Sequence, residues 1–191
     1  MTEAARIVLP DADRALRELP VGTPVLLSGP VFTARDATHE RLAFELDRDG
    51  VLPYGLVGQV LFYAGPTPAA AGRPAGAVGP TTAKRMDAWT PLLMEAGIVA
   101  TIGKGARSDE VRRACARTGA VHLAAVGGAA ALLATAVRSV EVVAYPELGT
   151  EALMRMELEG FPAWVAIDAR GNDLYALARA EWAGAASRRE S

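Results

Sequence analysis

The sequence predicts an α/β domain built on a mixed sheet, and three observations carry that expectation. Short apolar runs bounded by Gly and Pro recur along the chain, as buried strands do. Through the middle they alternate with segments of helical periodicity, the pattern of parallel strands joined by crossovers. Near the end, two runs flank the turn Arg170-Gly171-Asn172-Asp173 and read as a hairpin, which adds antiparallel pairing.

The 191 residues suffice for one domain with a sizeable core, expected over residues 1–182, with a small, polar and disordered tail over 183–191. Hydrophobic residues make up 51% and charged residues 22%, the balance of a soluble globular protein. A net charge of -2 leaves no electrostatic footprint for nucleic acid or an anionic membrane, so any basic site must be local. The longest candidate span, residues 127–137, is Ala-rich and well short of the roughly 20 apolar residues a spanning helix needs. The N-terminal residues lack a basic-then-apolar leader pattern, which points to the cytoplasm. Cys115 is the only cysteine, so an internal disulfide and a Cys-ligated zinc or iron-sulfur site within this chain are both excluded. No metal site is expected here, and any such cofactor must come from a partner. Of the 20 basic residues only Lys84 and Lys104 are lysines, and both sit in glycine-flanked motifs.

Element by element, residues 11–19 read as a short helix that Asp11 can cap, stopped by Pro20 and Gly22. Residues 23–28 (TPVLLS) form a strand that Gly29-Pro30 should end. A helix enters near Asp36 and runs to Gly50, with Leu42 and Leu46 on its core face. Residues 58–64 are a second strand, and 69–78 a flexible Ala, Gly and Pro loop. A helix from about Thr81 to Ala96 is expected to break or kink near Pro91. Residues 98–102 make a third strand, 109–118 a surface helix whose Cys115 reads as an inert buried thiol, and 120–126 a fourth strand. An Ala/Leu helix follows Gly127-Gly128 and ends near Arg138. Residues 140–144 and 163–168 are strands flanking an acidic helical patch over 147–157, and 174–177 would complete the hairpin.

Candidate chemistry gathers where turns meet regular elements. In Gly79-Pro80-Thr81-Thr82-Ala83-Lys84-Arg85-Met86-Asp87, the threonines can cap a helix whose first turn offers unpaired amides, while Arg85 adds a planar fork for a carboxylate. Arg35 and Asp36 fall at another helix mouth, with His39 one turn on; a local Arg35–Asp36 ion pair is the plainer reading of that pair. His122 alternates within an apolar strand and reads as structural. Ile102-Gly103-Lys104-Gly105 suggests a phosphate loop but fails its spacing, because Gly105 stands where Ser or Thr must hold magnesium. What remains is a lysine at a strand's C-terminal end, where ligands bind in open α/β sheets. Three cationic mouths suit a small dicarboxylate, one clamp per carboxylate, yet they bring an incomplete acid/base set. The chain reads as half an active site.

These residues resemble a known family. Thr33-Ala34-Arg35-Asp36-Ala37-Thr38-His39-Glu40-Arg41-Leu42, then Tyr63-Ala64-Gly65-Pro66, the Gly79 to Asp87 run, Ile102-Gly103-Lys104-Gly105, Gly127-Gly128-Ala129-Ala130-Ala131, Phe161-Pro162 and Gly171-Asn172-Asp173-Leu174-Tyr175 are similar, in unbroken order, to the C-terminal domain or beta subunit of class I, iron-sulfur fumarate hydratases. The beta subunit of L(+)-tartrate dehydratase belongs to the same family. The resemblance implies a swivelling β/β/α domain that closes over an alpha subunit holding a [4Fe-4S] cluster, in a hetero-oligomer acting on fumarate and malate. The cluster's open iron would serve as Lewis acid on the departing hydroxyl. It further implies that Arg35, Thr81, Arg85 and Lys104 contact the substrate, with Asp36 and Thr82 beside them in the binding set. Either Thr81 or His39 would move the proton. Tartrate-type relatives tend to carry other residues at Ala34, Thr38 and Asp87, so these three favour fumarate and malate, with tartrate the alternative. A non-catalytic module that kept the anion pocket is the reading from a different class.

Overall fold

A ring of strands, closed late in the chain, positions everything else. The computed structural model describes residues 3–187. Its strands are β1 (Ala5–Val8), β2 (Pro24–Thr33), β3 (Val60–Phe62), β4 (Ala100–Gly103), β5 (Val121–Ala124), β6 (Val137–Ala144) and β7 (Leu153–Ile167). They form one sheet in the order β1-β2-β3-β4-β5-β7-β6, and a further β2–β7 pairing shuts β2, β3, β4, β5 and β7 into a ring. Strands β2 to β5 run parallel to their neighbours, and β7 returns antiparallel to β2 and β5. The sheet is therefore mixed and the domain α/β, as the alternation of runs required.

Alternation along the strands divides the core. Val60 and Phe62 of β3 join Val25, Leu27, Ile102, Leu123 and Val165 in a cluster fed by all five ring strands, and Phe62 meets Phe161 edge to face at 5.2 Å. Leu61 and Tyr63 point the other way, into a cluster with Leu42, Met86, Leu93 and Ile98. That second cluster seats α2 (Asp36–Asp49) and α3 (Thr90–Glu95), while α1 (Asp13–Glu18) packs Leu16 on the first. Helix α2 stops where Gly50 takes φ 70°. Helix α4 (Asp109–Thr118) starts at Ser108, whose hydroxyl accepts the Val111 amide at 3.4 Å. Cys115 on α4 is fully buried, and burial pushes its thiol up to about 12, the inert behaviour expected of it.

Several expectations need correction. Strand β1 was not anticipated. Strand β2 does not end at Gly29-Pro30 but passes through them by a bulge against β7 between Leu27 and Gly29, which lets a residue without an N–H sit in a ladder. Its cost is a fixed glycine, because a Cβ on Gly29 would lie 2.4 Å from the Leu9 carbonyl oxygen. The helix expected over 81–96 is two pieces: a 3-10 turn, Ala83–Met86, and α3, which Pro91 confines to a start at Thr90. The Ala/Leu helix is only α5 (Ala130–Leu133) plus a 3-10 turn, since β6 begins at Val137. The acidic patch is a 3-10 stretch, Pro146–Glu151, and then the long β7. There is no terminal hairpin: α6 (Leu174–Ser187) replaces the last strand, because the Asp173 carboxylate accepts the amides of Tyr175 and Ala176 and starts a helix from an Ala-rich run. Helix α6 carries the first residues of the stretch expected to be a disordered tail, whose residues 188–191 lie outside those described. No helix among the described residues is long and apolar enough to cross a membrane.

Candidate active site

Parallel strands β2 to β5 end on one edge, and the residues that follow them build the site. Arg35 and Asp36 follow β2, Gly65 follows β3, Lys104 follows β4 and Gly127 follows β5. The Gly79 to Asp87 run crosses this edge as an added rung. Pro80 bridges Ala64, and Thr82 bridges Lys104 in parallel. The Thr81 amide donates to the Tyr63 carbonyl at 2.6 Å, the Lys104 amide to Thr81 at 3.1 Å and the Ala83 amide to Lys104 at 2.9 Å. Thr81, Thr82 and Lys104 are thus set side by side by backbone pairing.

That pairing overturns the helix-mouth account of anion binding. The four-residue 3-10 turn has no side-chain cap, and the amides of Thr81 and Ala83 are already spent on carbonyls. Close approach shapes the edge as well: a Cβ on Gly65 would meet the Thr150 carbonyl at 2.7 Å and Arg35 Nη1 at 3.1 Å, and one on Gly103 would meet Ala83 Cβ at 2.9 Å.

Arg35 and Asp36 do not pair with each other. Arg35 Nη2 lies 3.1 Å from Glu151 Oε1, while Arg85 Nε donates to Asp36 Oδ1 at 2.9 Å. Arg85 Nη2 lies 2.9 Å from Asp36 Oδ2, an ion-pair contact whose angles fall short of a hydrogen bond. Glu151 also accepts the Ala37 amide at 3.1 Å and, through its carbonyl, the Thr38 hydroxyl, so it caps α2 and holds Arg35 at once. Arg35 Nε is a buried donor without an acceptor among the described residues. Lys104 makes no ion pair among the described residues, and its stem lies where a Cβ on Gly127 would be 3.2 Å away. Lys104 and Thr82 help line a cleft of about 530 Å³, together with Trp164, Leu174 and Tyr175. Arg35, Asp36, His39, Thr81 and Arg85 are not in that lining.

His39 is sealed beneath the first turn of α2 with no exposure. Its Nδ1 is 2.8 Å from the Arg35 carbonyl, which can only accept, so Nδ1 carries the proton and Nε2 is a lone pair without a partner. Burial lowers its pKa to about 4, against the raising effect of the Arg35 hydrogen bond, so the ring is neutral at physiological pH. Its ring stands edge-on to Tyr63 at 5.0 Å.

Two residues with evident roles were missed by the sequence reading, Glu151 and Arg107. Arg107 runs into the protein beneath the rung: Nε donates to Asp87 Oδ1 at 2.6 Å, Nη2 to Thr90 Oγ1 at 2.8 Å, and Nη1 reaches His122 Nδ1 at 3.2 Å. Its guanidinium also lies 5.2 Å from the Tyr63 ring centre. His122 is structural, as expected, and burial with the nearby Arg107 charge holds its pKa well below 6.5. The signal for Arg107 was its place three residues past Lys104 in the same mouth. Ala34, Thr38 and Asp87, expected to bear on substrate choice, turn inward. Ala34 and Thr38 are buried, and Asp87 serves Arg107.

Among the described residues no cluster of His, Cys, Asp or Glu converges to hold a metal ion, and the one thiol lies buried on α4. A [4Fe-4S] cluster takes several thiolates, so this donor set does not fit one.

Two threonines and a lysine set side by side by backbone pairing, with Arg85 on the turn that follows and Arg35 just past β2, gather polar and cationic side chains at the C-terminal edge of parallel strands in an α/β barrel. The family model described as Fumarase C-terminus matches residues 1–178, and the chain belongs to that family. It is 41% identical over 162 residues to the anaerobic class I fumarate hydratase of Escherichia coli, covering 84% of this chain and 30% of that protein. It is 40% identical over 162 residues to fumarate hydratase 2 of Leishmania major, covering 84% of this chain and 28% of that protein. A Methanocaldococcus jannaschii protein assigned as an L(+)-tartrate dehydratase subunit beta is 36% identical over 166 residues, covering 84% of this chain and 85% of that one. The chain thus spans about a third or less of the fumarate hydratases it matches.

Proposed function

We propose that this chain is the dicarboxylate-gripping part of a hydro-lyase that reversibly hydrates fumarate to (S)-malate. It would work with an iron-sulfur alpha subunit in a hetero-oligomer of the cytoplasm. The observation that carries this reading is the family match over residues 1–178, falling on a chain whose Thr81, Thr82 and Lys104 share one backbone-paired rung with Arg85 on the turn that follows it. Arg85, half-exposed and held among the described residues only by Asp36, can exchange that carboxylate for one of the substrate's in a bidentate grip. Lys104, with no ion pair among the described residues, takes the second carboxylate, and the orphan Nε of Arg35 offers a further donor. Thr81, partly exposed on the rung, is better placed to pass a proton than His39, which is sealed from solvent and committed through Nδ1 to the Arg35 carbonyl. A threonine hydroxyl is a weak base alone, so part of the acid/base set has to come from the alpha subunit.

Co-expression with an alpha-type partner, followed by assays on fumarate, malate and tartrate, tests the reading. The reconstituted complex should hydrate fumarate, and the isolated chain should be colourless and inactive. Turnover by the isolated chain would overturn the half-site reading, and a higher kcat/KM for tartrate would move the assignment to tartrate dehydratase. A complex inactive on all three leaves the non-catalytic anion-binding module.

A further inference from the structure

Arg107 is the most heavily engaged side chain of the interior, and the grip on dicarboxylate does not use it. Its side chain is fully buried, and that of Asp87 is 11% exposed. A buried ion pair is a poor way to stabilise a fold, because desolvating two charges offsets most of their attraction, and an apolar pair of similar size does as well. What it supplies is direction. The Asp87 carboxylate takes Arg107 on Oδ1 and the Ser108 amide on Oδ2, each at 2.6 Å, and so ties the far end of the Gly79 to Asp87 run to the segment after Lys104. The near end is tied already by the backbone pairing of Thr81, Thr82 and Ala83 with Lys104. Between the two ties stands the 3-10 turn that carries Arg85. The other face of the guanidinium reaches Thr90 and His122, on α3 and β5, so both segments are referred to the ring itself.

We propose that Arg107 and Asp87 are a positioning pair, which fixes the segments that carry Arg85 and Lys104 relative to one another. Neither touches the substrate. The kinetic part of this inference rests on the hydro-lyase reading; the structural part does not.

The double variant Arg107→Met/Asp87→Asn removes both charges together and keeps an acceptor for the Ser108 amide. In the full chain its melting temperature should stay near that of the wild type, while amide hydrogen exchange over residues 81–86 and 103–105 speeds up. In the reconstituted complex kcat/KM should fall on the order of 10- to 100-fold, mainly through KM, as slight misplacement of two clamps predicts. Arg107→Lys, which keeps the charge and loses the fork, should show the same changes in smaller measure, and decides the matter if the double variant does not fold. Unchanged exchange in the rung, or an unchanged KM beside faster exchange, would overturn the proposal. If the wild-type complex turns over neither fumarate nor tartrate, the hydro-lyase reading fails, and the exchange measurement still decides whether the pair holds the rung.

Discussion

Two arginines of this domain each face one aspartate, and the pairs differ mainly in where they sit. Arg85 and Asp36 meet at 2.9 Å with side chains 50% and 29% exposed, whereas Arg107 and Asp87 meet at 2.6 Å with side chains 0% and 11% exposed. At the rim, water stabilises both charges whether or not they touch, so the pair can open at little cost. Inside, neither charge has an alternative partner of equal strength, and the same contact becomes fixed. An arginine that must take up and release a substrate carboxylate belongs with the first kind. One that must hold a loop still belongs with the second.

The sharpest way to break this contrast is to remove one partner from each pair. Arg107→Met alone strands the Asp87 carboxylate in the interior and should cost about 3–5 kcal/mol, read as a shifted urea midpoint. A loss no greater than that of the double variant would erase the distinction drawn here.

Next in size is an acid effect confined to the interior. His39 is held neutral by burial at a pKa of about 4, against an ordinary 6.5. Because the folded value is the lower one, the unfolded chain takes up the proton first. Stability is therefore complete above the ordinary value and falls as pH drops towards 4, by about 3 kcal/mol for this histidine. His122, lowered in the same direction, steepens the slope. Urea midpoints across that window check it, and His39→Gln should flatten part of the curve.

On the hydro-lyase reading, the effects at the rim are catalytic. Arg85→Lys keeps the charge and loses the fork, and should lower kcat/KM in the reconstituted complex on the order of 10²-fold, roughly 2.7 kcal/mol, with the melting temperature nearly unchanged. A large melting loss with activity falling in proportion would make Arg85 structural. Smallest of all, Asp36→Asn should cost less than about 1 kcal/mol of stability, while altering KM because Arg85 loses its resting partner.

Much of this was legible in the sequence because it is local. Gly50 and Gly119 end helices where they stand, Ser108 starts one, and Arg35 and Lys104 each sit just past an apolar run that is a strand. What the sequence hid depends on partners far along the chain. Gly29-Pro30 obeys the local rule that ends strands until a bulge against β7 overrides it. The Thr81-Thr82 pair has the look of a helix cap, but pairing with Tyr63 and Lys104 claims the amides of Thr81 and Ala83, and only a 3-10 turn follows. Leu174-Tyr175-Ala176-Leu177 follows a turn and reads as the second arm of a hairpin, and the Asp173 carboxylate beside an Ala-rich run tips it to helix. Arg35 looked destined for its neighbour Asp36, and only the fold reveals that Glu151 claims it.

The closure of the ring also sets a timetable. Strand β2 finds its antiparallel partner in β7, with Pro24 opposite Trp164, so the first ring strand waits for the last. Joining segments about 140 residues apart carries a loop-closure cost of about 4 kcal/mol in the open chain, and parallel pairing among β2 to β5 lowers it only by bringing the ends together beforehand. During synthesis, a nascent chain that has emerged as far as β5 carries Arg35, Thr81, Arg85 and Lys104 on an unclosed sheet. The site becomes whole only once the ribosome has released the strand that shuts the ring.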